Sequence, residues 1–254
     1  MTQKELVTLI VPIYNEEDHL EEFLKDVDSL RLEAEKELVI INDCSTDNSW
    51  NILTSFEFKT PVTLINKTVN EGKGAAIRSG IKSAKGTIIG IQDADFEYSI
   101  NDIPAVIAPI LNNNADVVFG SRYKNSLLVH RTFHYLGNKI LTVLSNLCSG
   151  LYLSDMETCY KFFRAEIIQN IRLESNRFGF EPEVTAKVAR LKLRLAEVPI
   201  NYFPRNYIEG KKITWKDGIA AFLHIFNFNF LKSWDQCFES ELPKKYIPKG
   251  QHWL

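Results

Sequence analysis

The sequence predicts an α/β protein built on a mostly parallel sheet with helices on both faces. Three observations carry this. Short, apolar, β-branched runs alternate with amphipathic helical segments through the first half of the chain. The runs are dominated by apolar residues without strict alternation, as strands buried on both faces are. Polar and acidic residues gather immediately after several of them, and in such folds ligands sit beyond the carboxyl ends of the strands.

The first strand is "LVTLIVPI" (Leu6 to Ile13), followed by a helix with Leu20, Phe23, Leu24, Val27 and Leu30 at helical spacing. "ELVIIND" (Glu37 to Asp43) is the second strand, and Ser45, Thr46 and Asp47 are N-cap candidates for the helix after it. "VTLIN" (Val62 to Asn66), the helix Gly74 to Lys85, "TIIGIQ" (Thr87 to Gln92), a helix around Ile103 to Leu111 and "DVVFG" (Asp116 to Gly120) continue the alternation. The second half reads differently. Ser126 to Leu153 is helical and amphipathic, then come a strand at "YKFF", a helix at "EPEVTAKVARL" and a strand at "LRLAEVPINY". With no Gly/Ser-rich or Pro-rich linker, residues 1–232 are expected to form one domain, with a nucleotide-binding half over about 1–122 and an acceptor half over about 123–232. Residues 233–254 form a tail, either loose or docked.

At 254 residues and 45% hydrophobic, the chain has ample material for a core. Its net charge of -2 argues against nucleic acid as a partner. Cys44, Cys148, Cys159 and Cys237 lie far apart without metal-ligand spacing, which reads as reduced thiols and a cytoplasmic location. No apolar run reaches the roughly 20 residues needed to span a bilayer.

The chemistry-bearing stretch is "GIQDADFEYS". Alternate residues of an extended segment point to one side, so Asp93, Asp95 and Glu97 could share a hard divalent cation, Mg²⁺ or Mn²⁺, through carboxylate oxygens. The other reading is acids of a turn and a helix cap, since "SINDIP" opens a helix nearby. In "NEGKGAA", Gly72, Lys73 and Gly74 precede a helix, letting amides and an ammonium approach an anion; an ordinary strand–helix turn is the alternative. The segment matches neither a Walker loop nor the G-x-G-x-x-G fingerprint of dinucleotide-binding dehydrogenases.

In order along the chain, "VPIYNEE", "INDCSTDNS", "NEGKGAAIRSGIKSAKG", "QDADFEY", "GSRY", "DMETCYKFFR" and "EVPINYFPRNYIEGKK" resemble family 2 glycosyltransferases of the GT-A fold, over about Leu6 to Trp215. The nearest likeness is to the dolichyl- or polyprenyl-phosphate sugar synthases. The resemblance implies a Rossmann-like central sheet with C-terminal acceptor-side helices. It implies an inverting, metal-dependent transfer of a hexose from a UDP- or GDP-sugar to a polyprenyl or dolichyl phosphate. Pro12, Tyr14 and Glu16 match a nucleotide-contact segment, and Asp43 an aspartate that recognises base or ribose. Asp93 and Asp95 match the D-x-D motif, with Asp95 and Glu97 the direct metal ligands; Arg205 and Lys211 match a basic loop over the phosphates. The chain departs from the family where "DDGS" is usual and has Asn42, Asp43 and Cys44.

A metal would act as a Lewis acid on the departing diphosphate, with Asp95 and Arg205 as catalytic residues and Lys73 beside the donor. A phosphomonoester acceptor, with its second pKa near ~6, needs cations rather than a base, and Arg122 and Arg131 are candidates. Asp155 would be the base for an alcohol acceptor; otherwise it orders the site by pairing with Arg122 or sugar hydroxyls. "LLVHRTFHYLGNKILTVL" and "FLHIFNFNFLKSW" suit peripheral contact with the cytoplasmic face of a membrane; core helices or a homo-oligomer contact are the alternatives. A soluble or polysaccharide acceptor, or a silent nucleotide-sugar-binding protein, are the rival functions.

Overall fold

The computed structural model describes residues 5–124, 132–203 and 215–249. In chain order the elements are β1 (Leu6–Ile13), α1 (Glu17–Ser29), β2 (Glu35–Asn42), α2 (Ser49–Ser55), β3 (Val62–Asn66), α3 (Lys73–Ser83) and β4 (Ile88–Ile91). A 3₁₀ turn (Ile100–Asp102), α4 (Ile103–Leu111), β5 (Val117–Ser121), α5 (Thr132–Ser149), β6 (Lys161–Arg164) and α6 (Ala165–Ile168) follow. The chain continues through α7 (Phe180–Ala189), β7 (Leu195–Pro199), α8 (Trp215–Phe226) with a π-helical turn (Asn227–Leu231), and α9 (Trp234–Cys237).

The strands form one seven-stranded sheet in the order β3-β2-β1-β4-β6-β5-β7. β1 runs parallel to β2 from Leu6 opposite Glu35 to Ile13 opposite Asn42. Every other pairing is parallel too, except those of β6, which lies antiparallel between β4 and β5. The residues of β4 and β5 are buried throughout, which explains their unbroken apolar sequence. α1 buries Leu20, Phe23, Leu24 and Val27 on one stripe and carries Glu17 and Asp18 in its first turn, where acids favour the helix dipole.

Two boundaries differ from the sequence expectation. α2 starts at Ser49 with Asn48 at the N-cap position, although the side chain that accepts the Ser49 amide is that of Asp47, one of the expected cap candidates. α5 ends at Ser149, short of Leu153, because the side chain of Asn146 turns the chain by bonding both the amide and the carbonyl of Leu153.

The segment beyond Leu231 docks. Ile171 bridges to Phe238, and the amide of Lys192 donates to the carbonyl of Tyr246 at 2.8 Å. Cys237, Phe238, Leu242 and Tyr246 join the same buried cluster as the strands. All four cysteines are free thiols. Among the described residues no helix is long and apolar enough to cross a membrane.

Candidate active site

Among the described residues, three of the four non-glycine positions with left-handed backbone lie at the carboxyl edge of the sheet, the fourth being Asn113 after α4. Asn15 (φ 53°), Cys44 (φ 60°) and Phe96 (φ 56°) follow β1, β2 and β4, three neighbouring strands, and all adopt left-handed backbone. That conformation costs a non-glycine residue ~1–2 kcal/mol, and it persists where surrounding bonds over-determine it. Here the ends of β1 and β2 clasp each other. The Asn15 amide donates to Ser45 Oγ (3.0 Å), the Thr46 amide to Asn15 Oδ1 (2.8 Å), and the Glu16 amide to Ser49 Oγ (3.1 Å). The clasp leaves Tyr14 exposed, with Pro12 and Glu16 half-buried beside it.

Asp43 is buried beneath this edge. Its oxygens accept the amides of Gly72 (2.6 Å) and Glu71 (3.2 Å), and Lys67 Nζ lies 3.0 Å away. A carboxylate has about four acceptor sites, and three of them here hold the chain. Asp43 therefore fixes the loop before α3 rather than standing open.

The glycines of that loop serve close packing. Of the two readings of Gly72 and Gly74, what lies against them favours the strand–helix turn. A Cβ on Gly74 would sit 2.3 Å from the Ser175 carbonyl oxygen, and one on Gly72 2.6 Å from that of Asn176. The Asn176 carbonyl takes the Ala75 amide (3.1 Å), and Arg78 reaches back to Ser175 and Asn176. Gly72 also needs its φ of 95°. Lys73 turns inward, its ammonium meeting Asp93 (2.9 Å), Cys159 Sγ (3.1 Å) and Glu181 (3.2 Å). Burial works against the charge, but the carboxylates of Asp93 and Glu181 outweigh it, so Lys73 stays an ammonium with its pKa raised.

The three acids do not share one face. Phe96 breaks the extended path, and residues 94–97 form a bend. Asp93 goes to Lys73, whereas Asp95 folds back to accept the Glu97 amide (3.1 Å). Glu97 accepts the Tyr202 hydroxyl at 3.1 Å, and its carbonyl takes the Phe203 amide at 2.8 Å. Burial, then Glu97, raises the Tyr202 pKa, keeping it a phenol. Among the described residues no three His, Cys, Asp or Glu side chains are gathered as a ready-made metal cage. Asp95 and Glu97 remain half-exposed carboxylates on one bend. Two hard oxygen donors fit Mg²⁺ or Mn²⁺, which complete their shells with water and phosphate oxygens.

Arg122 and Asp155 form a buried pair after β5. Arg122 Nε and Nη2 each donate at 2.7 Å to separate Asp155 oxygens, and the Arg122 amide adds a third bond at 3.0 Å. Burial pushes the Asp155 carboxyl up, but Arg122 and its hydrogen bonds prevail and hold it below the usual range. A carboxylate so engaged orients a cation and is not poised to take a proton. Of the two roles open to Asp155, the geometry favours positioning. The Arg122 guanidinium also lies over the Tyr202 ring (5.1 Å) and the Tyr123 ring (5.4 Å). Three of its five N–H bonds remain beyond those to Asp155. Arg131, Arg205 and Lys211 lie outside the described residues.

Four residues near the site were given no role by the sequence reading, although three of them lie in the quoted "DMETCYKFFR". Glu157, Cys159, Lys161 and Glu181 come from the turn before β6, from β6 itself and from α7; Cys159 and Glu181 meet Lys73, while Glu157 and Lys161 lie beside Glu181 and Asp155, all only through the fold. The Cys159 thiol is pushed up by burial, with Asp93 adding to it, so it stays protonated. Lys161 is lowered to about 8 by burial, against the pull of Glu181, Asp155 and Glu157.

Residues 8–172 match the family described as glycosyl transferase family 2. The chain is 30% identical to a dolichyl-phosphate beta-glucosyltransferase of Trichomonas vaginalis, over 82% of this chain and 68% of that protein. It is 28% identical to a dolichol-phosphate mannosyltransferase of Pyrococcus furiosus, over 81% of this chain and 58% of that one. Its backbone is similar to that of glucosyl-3-phosphoglycerate synthase from Mycobacterium tuberculosis, crystallised with Mn²⁺, uridine diphosphate and glucosyl-3-phosphoglycerate. The TM-score is 0.68, covering 91% of this chain and 82% of that one at 15% identity, a likeness of fold. The fold is GT-A.

Proposed function

Since the chain belongs to glycosyl transferase family 2 and is a glycosyltransferase, we propose that it moves a hexose from a UDP- or GDP-sugar to a polyprenyl or dolichyl phosphate. The reaction is a single inverting displacement at the cytoplasmic face of a membrane. An acceptor phosphate oxygen bonds to the anomeric carbon as the bond to the donor diphosphate breaks, and the nucleoside diphosphate leaves. The named relatives that act on dolichyl phosphate support this acceptor.

Pro12, Tyr14 and Glu16 line the place of the nucleotide, with Asp43 and Lys73 setting the loop and helix start beside it. Asp95 and Glu97 would hold Mg²⁺ or Mn²⁺, which supplies Lewis-acid stabilisation of the leaving diphosphate when bound. Asp93 stays on Lys73 and anchors the bend. Arg205 and Lys211 take the donor phosphates, a role supported by the basic-loop motif they match. Arg122, assisted by Arg131, receives the acceptor phosphate; Asp155 holds the Arg122 fork in register. The acceptor needs no base, because a phosphomonoester is mostly dianionic at neutral pH.

The observation that carries the lipid acceptor is an apolar face beside Arg122. Tyr123, the next residue, accepts a hydrogen bond from Asn138 of α5 (3.1 Å) and lies under Lys139 (4.6 Å). Along α5, Leu136, Ile140, Val143 and Leu147 are exposed, and α8, packed against α5, exposes Ile219, Phe222, Leu223 and Phe226. Such a face suits the headgroup–acyl boundary of a bilayer.

The test is transfer of labelled sugar from UDP-glucose or GDP-mannose, with Mn²⁺, to polyprenyl phosphate in liposomes. Lipid-linked product that disappears with EDTA is expected. Transfer to a soluble acceptor with none to the lipid would overturn the acceptor assignment, and donor binding without transfer or hydrolysis would overturn the catalytic one.

A further inference from the structure

Behind the site, three cations face four carboxyl groups. Lys73 pairs with Asp93 and Glu181, and Arg122 with Asp155. Lys161, fully buried, spends its ammonium on the carbonyls of Met156 and Thr158, each at 2.7 Å. Those carbonyls bracket Glu157, so Lys161 fixes the turn and leaves the Glu157 carboxyl over. Its Oε1 is enclosed by protein yet has no hydrogen-bond partner. A buried polar atom without a partner is rare and asks for an explanation, an absent ligand among them.

The turn occupies a telling place. Because β6 is antiparallel, residues 155–160 lie over the carboxyl ends of β4 and β5. The Cys159 amide donates to the Tyr98 hydroxyl (3.3 Å) and the Tyr160 hydroxyl to the Ser99 carbonyl (2.9 Å), tying the turn to the acid bend. Asp155 ties its other end to Arg122. The turn carrying Glu157 thus spans from the acid bend assigned to the donor to the Arg122–Asp155 pair assigned to the acceptor, and the transferred sugar passes between those two.

We infer that Glu157 is a specificity-determining substrate contact whose carboxyl group hydrogen-bonds a hydroxyl of the hexose being transferred. The inference rests on the glycosyltransferase reading above. The chemistry matches: a protonated carboxyl both donates and accepts, as a sugar hydroxyl does. Burial first, then Glu181 of α7, raises the Glu157 pKa to about 7, against Lys161 of β6 and Arg122 after β5, with Asp155 of its own turn adding to the rise.

The experiment compares wild type, Glu157→Ala and Glu157→Gln by titration calorimetry with Mn²⁺, using UDP-glucose against UDP and GDP-mannose against GDP. The ratio of sugar-nucleotide to nucleotide affinity isolates the hexose. Glu157→Ala is expected to lower that ratio about 5- to 10-fold, the worth of one hydrogen bond, with nucleotide affinity unchanged. Glu157→Gln, which can still donate and accept, keeps the ratio within about 3-fold and loses the decline that wild type shows between pH 6 and 8. An unchanged ratio in a folded Glu157→Ala protein overturns this inference alone. A wild-type protein that binds neither sugar nucleotide overturns the reading beneath it as well.

Discussion

Replacing Glu157 by Gln removes one buried titrating proton while keeping the shape of the side chain. The consequence for stability can be worked from its surroundings. In the folded protein burial and the neighbouring Glu181 raise this carboxyl from 4.5 to about 7. A carboxyl whose folded pKa lies above its unfolded one is protonated in both states below pH 4.5, where it has no effect. Between 4.5 and about 7 the folded state holds the proton and the unfolded state has lost it, so stability falls as pH rises. Above about 7 the penalty is constant. At ~1.4 kcal/mol per pH unit, it amounts to about 3 kcal/mol. Urea unfolding of wild type and Glu157→Gln at matched pH values from 4.5 to 8 reads it directly. The stability difference should swing by about 3 kcal/mol in favour of the variant across that range. A difference that stays flat would show that the carboxyl titrates as if in water, and the account of its surroundings would be wrong.

Arg122→Met should cost ~3–5 kcal/mol in urea unfolding by stranding buried Asp155, and adding Asp155→Leu should restore most of it. Gly74→Ala should cost ~1–3 kcal/mol, read as a lowered Tm, because the new methyl meets the Ser175 carbonyl that α3 packs upon. Asp95→Ala should remove the Mn²⁺-dependent part of the thermal stabilisation by UDP-glucose, worth ~2.7 kcal/mol at a hundredfold excess over Kd; an undiminished metal effect would take Asp95 out of the metal site. Ile140→Glu with Phe222→Glu should reduce flotation with anionic liposomes more than 10-fold, since each apolar side chain removed from contact is worth ~1.5–3 kcal/mol.

The parallel strands were legible because burial on both faces favours apolar residues at successive positions, and Leu6 to Ile13 or Ile88 to Ile91 show none of the alternation of a half-wet strand. The place of β6 was not. A four-residue run carries no mark of its direction, and its insertion between β4 and β5 is decided by partners far along the chain. The acids after β4 were found by their spacing, but the step from spacing to a shared face failed at Phe96, whose backbone turns left-handed under local bonds that periodicity does not encode. Lys73 was visible as a cation at a helix start. That it faces Glu181, 108 residues on, became visible only with the fold. Asp155 shows the opposite case: its pairing with Arg122 was one of two readings of the sequence, and three hydrogen bonds select it.

The reversed strand governs the order in which this chain can assemble. During synthesis β1 to β4 emerge early and can join as a parallel unit, yet the outer side of β4 has nothing to bond until the chain has passed through α5 and come back as β6. β5 is made before its own neighbours exist, since both β6 and β7 follow it. Long-range pairing of this kind is slow, and an unpaired buried strand is sticky while it waits. The nascent protein thus passes through an interval with a naked apolar rim at β4, when a chaperone or self-association competes with completion of the sheet.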